Sequence, residues 1–263
     1  MRFKISLHPE GERLRLPYNY NHALAAAIYS FLAQGDTTFS HFLHQEGFYH
    51  KGKAFKLFTF SPLLSKRRRA VKDGLLMEGR IDWFISSPRE EFVTNLAQGI
   101  LAQGFLPLLS QRLIVEEVEV LSQPVFADQA SFRTLSPIVI STGEVGSSGR
   151  FHKKYLSPEE PEFSPILEEN LRRKYQACYG KEAPGEGLSL KLLRRPRSKL
   201  IDYKGIKIRG WFVHFTVEGN AELIKIGYEA GFGESNSAGF GMVEVQPKSS
   251  PLMGGEASPE PKP

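Results

Sequence analysis

The sequence has little cysteine and no long apolar stretch, and these absences exclude several classes of protein. Cys178 is the single cysteine among 263 residues, so neither an internal disulfide nor a cysteine-based zinc site can form. No apolar run reaches the ~18 residues that a membrane span needs. The first residues alternate in polarity and lack the apolar core of a signal peptide. We therefore expect a cytoplasmic protein that does not associate with a membrane.

A glycine-rich loop, residues 227–241, lacks the features of two common nucleotide-binding motifs. It holds five glycines in fifteen residues but no Gly-Lys-Ser or Gly-Lys-Thr, so it is not a Walker loop. It follows a predicted helix, whereas a dinucleotide-binding fingerprint precedes one. Closely spaced glycines allow close approach either to an anion or to other backbone. The sequence leaves both an anion-binding loop and a tight structural loop open.

Acidic residues are scarce in two segments of the chain. Overall there are 34 basic and 29 acidic residues, a net charge of +5. Residues 51–72 contain eight Lys or Arg and no acid, and residues 191–209 contain eight Lys or Arg and one acid. Such runs are often solvated loops. Two of them on an otherwise acidic chain favour binding to a polyanion such as nucleic acid.

Patterns of apolar residues predict an α+β first half. Strands are predicted over 2–8, 56–60, 80–86 and 113–121, and helices over 23–33 and 88–103. Asp36 is predicted to cap a short additional helix that carries His41 and His44. The order β-α-β-β-α-β is that of a ferredoxin-like domain.

The second half repeats this order. Strands are predicted over 132–141, 188–193, 208–217 and 239–245, and helices over 165–179 and 221–230. We therefore predict two tandem ferredoxin-like domains, residues 1–122 and 123–247, with the glycine-rich loop late in the second. Residues 248–263 are rich in Pro, Gly and Ser and are predicted to be a disordered tail.

Seven short stretches, taken in order, carry a family resemblance. They are Met1-Arg2-Phe3, Leu16-Pro17-Tyr18-Asn19, Ala27-Ile28-Tyr29, Phe42-Leu43-His44, Lys56-Leu57-Phe58-Thr59-Phe60-Ser61, Leu135-Ser136-Pro137-Ile138 and the glycine-rich loop with its continuation to Val243. Together they resemble the repeat-associated mysterious proteins of CRISPR systems, and within them the repeat-processing endoribonucleases of the Cas6 family. The resemblance runs from residue 1 to about residue 247, and the glycine-rich loop is its most specific part.

This resemblance implies cleavage of the repeats in precursor CRISPR RNA, without a metal ion or other cofactor. The products would be a 2′,3′-cyclic phosphate and a 5′-hydroxyl. In archaeal-type relatives with a Tyr-His-Lys site, the tyrosine matches Tyr29, the histidine His44 and the lysine Lys56. In this subgroup, the first domain carries the catalytic site.

The chain also offers alternatives to these three residues. The stretch between His44 and Lys56 looks longer here than in the relatives. His41 and His50 therefore remain alternatives for the histidine, and Lys51 and Lys53 for the lysine. The three-residue spacing of His41 and His44 also suits a metal pair, but no carboxylate cluster lies near them in the sequence, so we predict no metal site.

The three residue types suffice chemically for RNA cleavage. RNA supplies its own nucleophile, the ribose 2′-hydroxyl. Histidine, with an ordinary pKa of ~6.5, can move a proton near neutral pH. A lysine can stabilise phosphoryl charge and a tyrosine hydroxyl can orient the nucleophile. Without the resemblance, the sequence is also consistent with Tyr29 as a core tyrosine and Lys56 as a surface lysine.

The basic segments and the glycine-rich loop supply the predicted RNA-binding residues. These are Lys66, Arg67, Arg68, Arg69, Lys191, Arg194, Arg195, Arg197, Lys199, Gly231, Gly233, Ser235, Asn236 and Gly239. We expect RNA to bind in the cleft between the domains, because the aromatic signature of an RNA-recognition motif is absent.

Two other functions remain open at this point. One is a non-catalytic subunit that holds repeat RNA in an effector complex, and the other is a ferredoxin-like enzyme or regulator acting on a small molecule. The predicted partner is precursor CRISPR RNA. Association with effector-complex subunits or a homodimer is left open.

Overall fold

Strands and helices alternate in two successive domains, described by a computed structural model over residues 1–145, 151–185 and 187–247. The first domain contains β1 (Arg2–Pro9), β2 (Arg13–Leu16), α1 (Asn21–Gly35), α2 (Thr37–Gln45), β3 (Phe48–His50), β4 (Lys53–Phe55), β5 (Thr59–Phe60), β6 (Leu64–Val71), β7 (Gly74–Ser86), α3 (Glu90–Gln103), β8 (Phe105–Leu108) and β9 (Gln111–Leu121). The second contains β10 (Gln129–Thr134), β11 (Ser141–Val145), β12 (Phe151–Tyr155), α4 (Phe163–Tyr179), β13 (Leu188–Leu192), β14 (Arg197–Tyr203), β15 (Ile206–Phe212), β16 (His214–Gly219), α5 (Ala221–Ala230), a 3-10 turn (Asn236–Ala238) and β17 (Val243–Val245).

The first sheet is built around β1, which pairs antiparallel with β7 on one side and β9 on the other. β5 and β6 pair with the far side of β7, so the strand order is that of a ferredoxin-like unit. Phe3, Ile5 and Leu7 alternate along β1 and share one core with Leu24 and Ile28 of α1. Burial of each such side chain contributes ~1.5–3 kcal/mol.

The second sheet has the order β13-β16-β10-β17, which is the same ferredoxin-like order of second, third, first and fourth strand. α4 and α5 pack together beside it. Two hairpins are added to this unit, β11–β12 and β14–β15. The prediction of two ferredoxin-like domains is confirmed, with β9 ending at Leu121 and β10 beginning at Gln129.

Side chains of the first domain reach into the second and hold the two together. The Arg2 guanidinium donates hydrogen bonds to the carbonyl oxygens of Val243 at 2.7 Å and Tyr228 at 2.9 Å. Its carbon lies 3.7 Å from the centre of the Tyr228 ring, and burial lowers the pKa of Arg2 to about 10. The Thr59 hydroxyl donates to the carbonyl oxygen of Phe240 at 2.9 Å.

The predicted strand over 56–60 is wrong for its first three residues. Only Thr59–Phe60 forms a strand, because Leu57 has a left-handed φ of 51°. This conformation is unusual for a leucine. Leu57 and Phe55 are buried in the core of the second domain. Contacts distant in sequence therefore overcome the local preference for a strand.

Three strand boundaries in the second domain also differ from the prediction. The single strand predicted over 208–217 is two strands, since β15 pairs with β14 and β16 pairs with β10 and β13. The strand predicted over 132–141 lies instead at Gln129–Thr134. The one predicted over 239–245 is limited to Val243–Val245, because the glycine-rich loop continues to that point. The predicted tail, residues 248–263, lies outside the described residues.

A helix that crosses a bilayer must be both long and apolar. None of the helices within the described ranges is long and apolar enough to cross a membrane.

Candidate active site and nucleic-acid interface

Tyr29 and His44 lie on two successive helices whose junction holds their rings together. The Asp36 carboxylate caps α2, as predicted, by accepting a hydrogen bond from the Phe39 backbone N–H at 3.0 Å. The Ser40 hydroxyl donates to the Tyr29 carbonyl oxygen at 3.0 Å, linking the two helices. The Tyr29 and His44 ring centres are 4.9 Å apart with an interplanar angle of 81°, an edge-to-face contact.

Lys56, in the segment that follows β4, lies against the same junction of α1 and α2; we call the site formed by Tyr29, His44 and Lys56 the cleavage corner. Its Nζ donates a hydrogen bond to the His44 carbonyl oxygen at 2.9 Å. Gly47, with φ of +73°, turns the chain after α2, and a Cβ there would lie 2.7 Å from the Phe55 carbonyl oxygen, so the turn requires glycine. The structure brings Tyr29, His44 and Lys56 together, and their roles in catalysis remain predictions.

The alternative residues are less closely grouped. His41 is exposed on α2, and His50 lies on β3 with a buried Nε2 that has no hydrogen-bond partner among the described residues. Lys51 is exposed in the β3–β4 turn with φ of 41°. Lys53 is exposed but lines the same cavity as Lys56. Lys53 is therefore the alternative lysine that shares a cavity with Lys56.

Burial is the main influence on the protonation of the tyrosine and the lysine. It raises the pKa of the Tyr29 hydroxyl above its usual range, and nearby Tyr203 acts in the same direction. Burial lowers the pKa of the Lys56 ammonium, against the opposing effect of the Glu46 carboxylate. At neutral pH Tyr29 is therefore a neutral hydrogen-bond donor. Among the described residues, no group of three His, Cys, Asp or Glu side chains could hold a metal ion.

The glycine-rich loop packs tightly on the first domain. A Cβ at Gly231 would lie 3.0 Å from Cβ of Thr59, and one at Gly239 would lie 2.7 Å from Cε2 of Phe60. The Asn236 amide is occupied within the loop, where it donates to the Phe240 carbonyl oxygen at 3.0 Å. These contacts give the loop a structural role. Contact of Gly231, Gly233, Ser235, Asn236 and Gly239 with RNA remains a prediction.

A cavity of about 310 Å³ lies between the two domains beside Lys56; we call it the lysine-lined cavity. Its walls combine residues 53–58 of the first domain with α4 and the glycine-rich loop of the second. The charged side chains that line it are Lys53, Lys56, Lys153, Lys174 and Glu234. Lys153 is paired with Glu234 at 3.0 Å and Lys174 is buried, so Lys53 and Lys56 supply the excess of positive charge.

Two buried polar residues of α4, Lys174 and Asn170, line this cavity and were not found by the sequence analysis. Lys174 Nζ donates to the carbonyl oxygens of Gly231 and Gly233, each at 2.6 Å, and burial holds its pKa well below that of an ordinary lysine. Asn170 is 6% exposed and its Oδ1 has no hydrogen-bond partner among the described residues. The available signal was two polar residues, one turn apart, on the apolar face of a predicted helix.

A larger cleft of about 1210 Å³ brings the two basic segments together; we call it the basic cleft. Arg68 of β6 lies on one wall, and the second segment contributes the other. The predicted residues from that second segment are Arg194, Arg195, Arg197 and Lys199. Arg133, ion-paired with Glu244, also lines the cleft, as does His214, whose pKa is lowered by burial and by the neighbouring arginines. Tyr18 and Phe212 add aromatic surface, whereas Tyr20 is buried. Neither basic segment is a plain loop, since β6 and β14 run through them.

The remaining predicted RNA-binding residues lie outside this cleft. Lys66, Arg67 and Arg69 are exposed on β6, where they surround a shallow depression together with Arg68 and Glu78. Lys191 is exposed on β13. The first basic segment therefore divides between the cleft and the open surface.

Known proteins of one family match this sequence over nearly the whole chain. The families described as CRISPR-associated protein Cas6, N-terminal, and CRISPR associated protein Cas6, C-terminal, match residues 15–119 and 121–245. The CRISPR-associated endoribonuclease Cas6 of Pyrococcus furiosus is 32% identical over 250 residues, covering 94% of this chain and 90% of the relative. The CRISPR-associated endoribonuclease Cas6 1 of Methanocaldococcus jannaschii is 34% identical over 245 residues, covering 92% of each chain.

The structural comparison agrees with the sequence comparison. The solved structure of a Cas6-related protein from Pyrococcus furiosus matches with a TM-score of 0.84 and 25% identity, over 94% of this chain and 98% of that one. Both domains and their order are therefore shared. The chain belongs to the Cas6 family of CRISPR-associated proteins.

Proposed function

We propose that the protein is an endoribonuclease that cleaves repeat sequences in precursor CRISPR RNA, without a metal ion. The observation that carries this proposal is the convergence of Tyr29, His44 and Lys56 at the corner between α1 and α2. Two relatives that match over most of the chain are named as endoribonucleases.

His44 has the geometry of a proton-transfer group. Its Nδ1 lies 3.2 Å from Nε2 of Gln45, so we assign proton transfer to Nε2, the other ring nitrogen. The side chain is exposed, as a group that must meet an incoming RNA has to be. Tyr29, packed on this ring, stays protonated and orients the ribose 2′-hydroxyl by a hydrogen bond.

The proposed reaction is an internal transesterification. The 2′-oxygen attacks the adjacent phosphorus as its proton passes to a base, and the bond from phosphorus to the 5′-oxygen breaks as an acid protonates that oxygen; His44 performs one of these two proton transfers. The products are a 2′,3′-cyclic phosphate and a 5′-hydroxyl, so no water, metal or oxidant is consumed. Lys56 stabilises the negative charge that grows on the phosphoryl oxygens.

The basic cleft is the proposed path of the RNA outside the cleavage site. Arginines from both domains face this cleft, so single-stranded phosphates can bind to both domains at once. The affinity should fall as salt rises, because each bound phosphate releases counterions. The exposed ring of Tyr18 can stack on an unpaired base.

The cleavage corner and the basic cleft are both built from one copy of the chain. Association with a second copy or with effector-complex subunits remains a prediction. Because the substrate is a transcript, this function implies action in the cytoplasm. In this proposal the first domain, residues 1–122, carries the cleavage site. The second domain, residues 123–247, carries the glycine-rich loop.

A cleavage assay in EDTA tests this proposal. Wild-type protein and His44→Ala are incubated side by side with the CRISPR repeat RNA of the source genome, and binding is measured in parallel. We expect cleavage at one position by the wild type and a loss of at least ~100-fold in the variant. Binding should be retained by both.

Two results would overturn the proposal. Tight binding without cleavage by either protein would instead indicate a subunit that holds repeat RNA. Failure to bind RNA even at low salt would favour a ferredoxin-like protein that acts on a small molecule.

A further inference from the structure

The lysine-lined cavity adjoins the proposed cleavage site through Lys56. Lys56 lines the cavity, and its Nζ is hydrogen-bonded to the His44 carbonyl oxygen at 2.9 Å. An RNA strand whose cleaved phosphate meets His44 would therefore bring the neighbouring nucleotide to the cavity.

Asn170 gives this cavity a group that is not explained by the fold. Asn170 is one of the residues that line the cavity, and its buried Oδ1 lacks a partner among the described residues. An unpaired buried acceptor opposes folding, so a polar side chain here needs another reason. The neighbouring Lys174, one turn away, is fully engaged with the glycine-rich loop.

The charges around Asn170 favour a ligand that carries a phosphate. Lys53 lines the cavity and has no acidic partner among the described side chains, whereas Lys153 is paired with Glu234 at 3.0 Å. The volume of about 310 Å³ lies at the small end of the ~300–1,000 Å³ typical of ligand pockets. This size suits a single nucleotide rather than a longer segment.

We infer that the lysine-lined cavity receives one nucleotide of the RNA next to the cleaved bond, and that the Asn170 amide hydrogen-bonds to the edge of its base. This inference rests on the proposed function. An asparagine amide presents a donor and an acceptor side by side, the pattern that pairs with a base edge such as that of adenine. Asn170 thereby determines which base is accepted beside the cleaved bond, and Lys53 binds its phosphate.

The test is a cycle that combines a protein change with a base change. Wild type and Asn170→Leu are titrated with the repeat RNA of the source genome, made uncleavable by a 2′-deoxy nucleotide at the cleaved position. Abasic residues are introduced one at a time on both sides of that position. Asn95→Leu, at a similarly buried asparagine on α3 that does not line the cavity, is the matched control.

We expect the effect of one abasic residue on RNA affinity to depend on whether Asn170 is present. One abasic position should weaken wild-type binding roughly tenfold, and Asn170→Leu should weaken binding of the intact RNA by a similar factor. The same abasic residue should then have almost no further effect on Asn170→Leu, while Asn95→Leu should behave like the wild type. The melting temperature of Asn170→Leu should be unchanged or higher, because an unpaired polar group is removed. Asn170→Ala provides a second variant in case the leucine disturbs packing.

If every abasic residue has the same effect on wild type, Asn170→Leu and Asn170→Ala, the cavity does not read a base and the inference is wrong. This failure is distinct from failure of the proposed function. A wild type that binds but does not cleave the unmodified repeat overturns the cleavage proposal. The binding cycle, extended along the whole repeat, still decides whether Asn170 contacts a base.

Discussion

The cleavage corner and the lysine-lined cavity are two polar clusters that share Lys56 but differ in burial. At the corner, His44 is exposed and Tyr29 and Lys56 are partly buried. In the cavity, Asn170 and Lys174 are 6% and 2% exposed. His44 is therefore accessible from solvent, as its proposed role requires, whereas Lys174 is held by the carbonyl oxygens of the glycine-rich loop. A basic residue at a domain boundary is thus a candidate catalytic residue only if its charged group remains accessible to a substrate.

Replacing Lys174 should have the largest effect on stability. Lys174→Met keeps the length of the side chain but leaves the Gly231 and Gly233 carbonyl oxygens without their donor. We expect the free energy of unfolding to fall by about 3 kcal/mol, since each buried unsatisfied group costs ~1–3 kcal/mol. Urea denaturation monitored by circular dichroism measures this. An unchanged unfolding free energy would mean that the loop does not depend on Lys174.

The same lysine predicts a pH dependence of stability. Burial lowers the pKa of Lys174 in the folded protein, so the unfolded chain binds more protons between that value and the ordinary pKa of ~10.4. The wild-type free energy of unfolding should rise with pH through this window. The rise should be absent in Lys174→Met, and an identical pH profile in both proteins would contradict this assignment.

Lys56→Met should have the opposite pattern, with a large effect on rate and a small one on stability. Loss of the cation should lower kcat by about 100-fold, while the free energy of unfolding changes by less than about 1 kcal/mol because the side chain is only partly buried. Single-turnover cleavage and urea denaturation measure the two effects. Lys51→Met, at an exposed lysine that does not line the cavity, is the matched control, and a larger loss of kcat there or in Lys53→Met would assign the role to that lysine.

The titration of Lys56 gives a second measurement of its role. Burial lowers its pKa, so its positive charge is lost at a lower pH than that of an exposed lysine. The cleavage rate should therefore fall as the pH rises through this pKa. In Lys56→Arg the fall should move to higher pH, because a guanidinium remains charged. An unshifted alkaline fall would indicate another titrating group.

Replacing a single arginine of the basic cleft should have the smallest of these effects, a modest loss of RNA affinity. Arg195→Ala should weaken RNA binding about threefold and reduce its salt dependence, because one phosphate contact is lost. Lys191→Ala removes an exposed cation outside the cleft and should have little effect. Affinities measured over a series of salt concentrations compare the two. Equal losses would mean that charge alone, rather than the cleft, attracts the RNA.

The difference between the two clusters also explains what the sequence could predict. α2 and its Asp36 cap follow from local patterns, and the positions of Tyr29 and His44 came from family resemblance. Asn170 and Lys174 could not be interpreted because their surroundings come from the glycine-rich loop and from residues 53–58, which are distant in sequence. Leu57 was misassigned to a strand for the same reason, since its contacts lie in the second domain.

The most direct test of the account is cleavage of a repeat RNA that carries a single 2′-deoxy nucleotide at the cleaved position. The proposed reaction uses that 2′-oxygen as its nucleophile. The account predicts that wild-type protein binds this RNA as tightly as the unmodified repeat and does not cleave it, while it cleaves the unmodified RNA in EDTA. Cleavage of the 2′-deoxy RNA at the same bond would contradict the account, because another nucleophile would then have to attack the phosphorus.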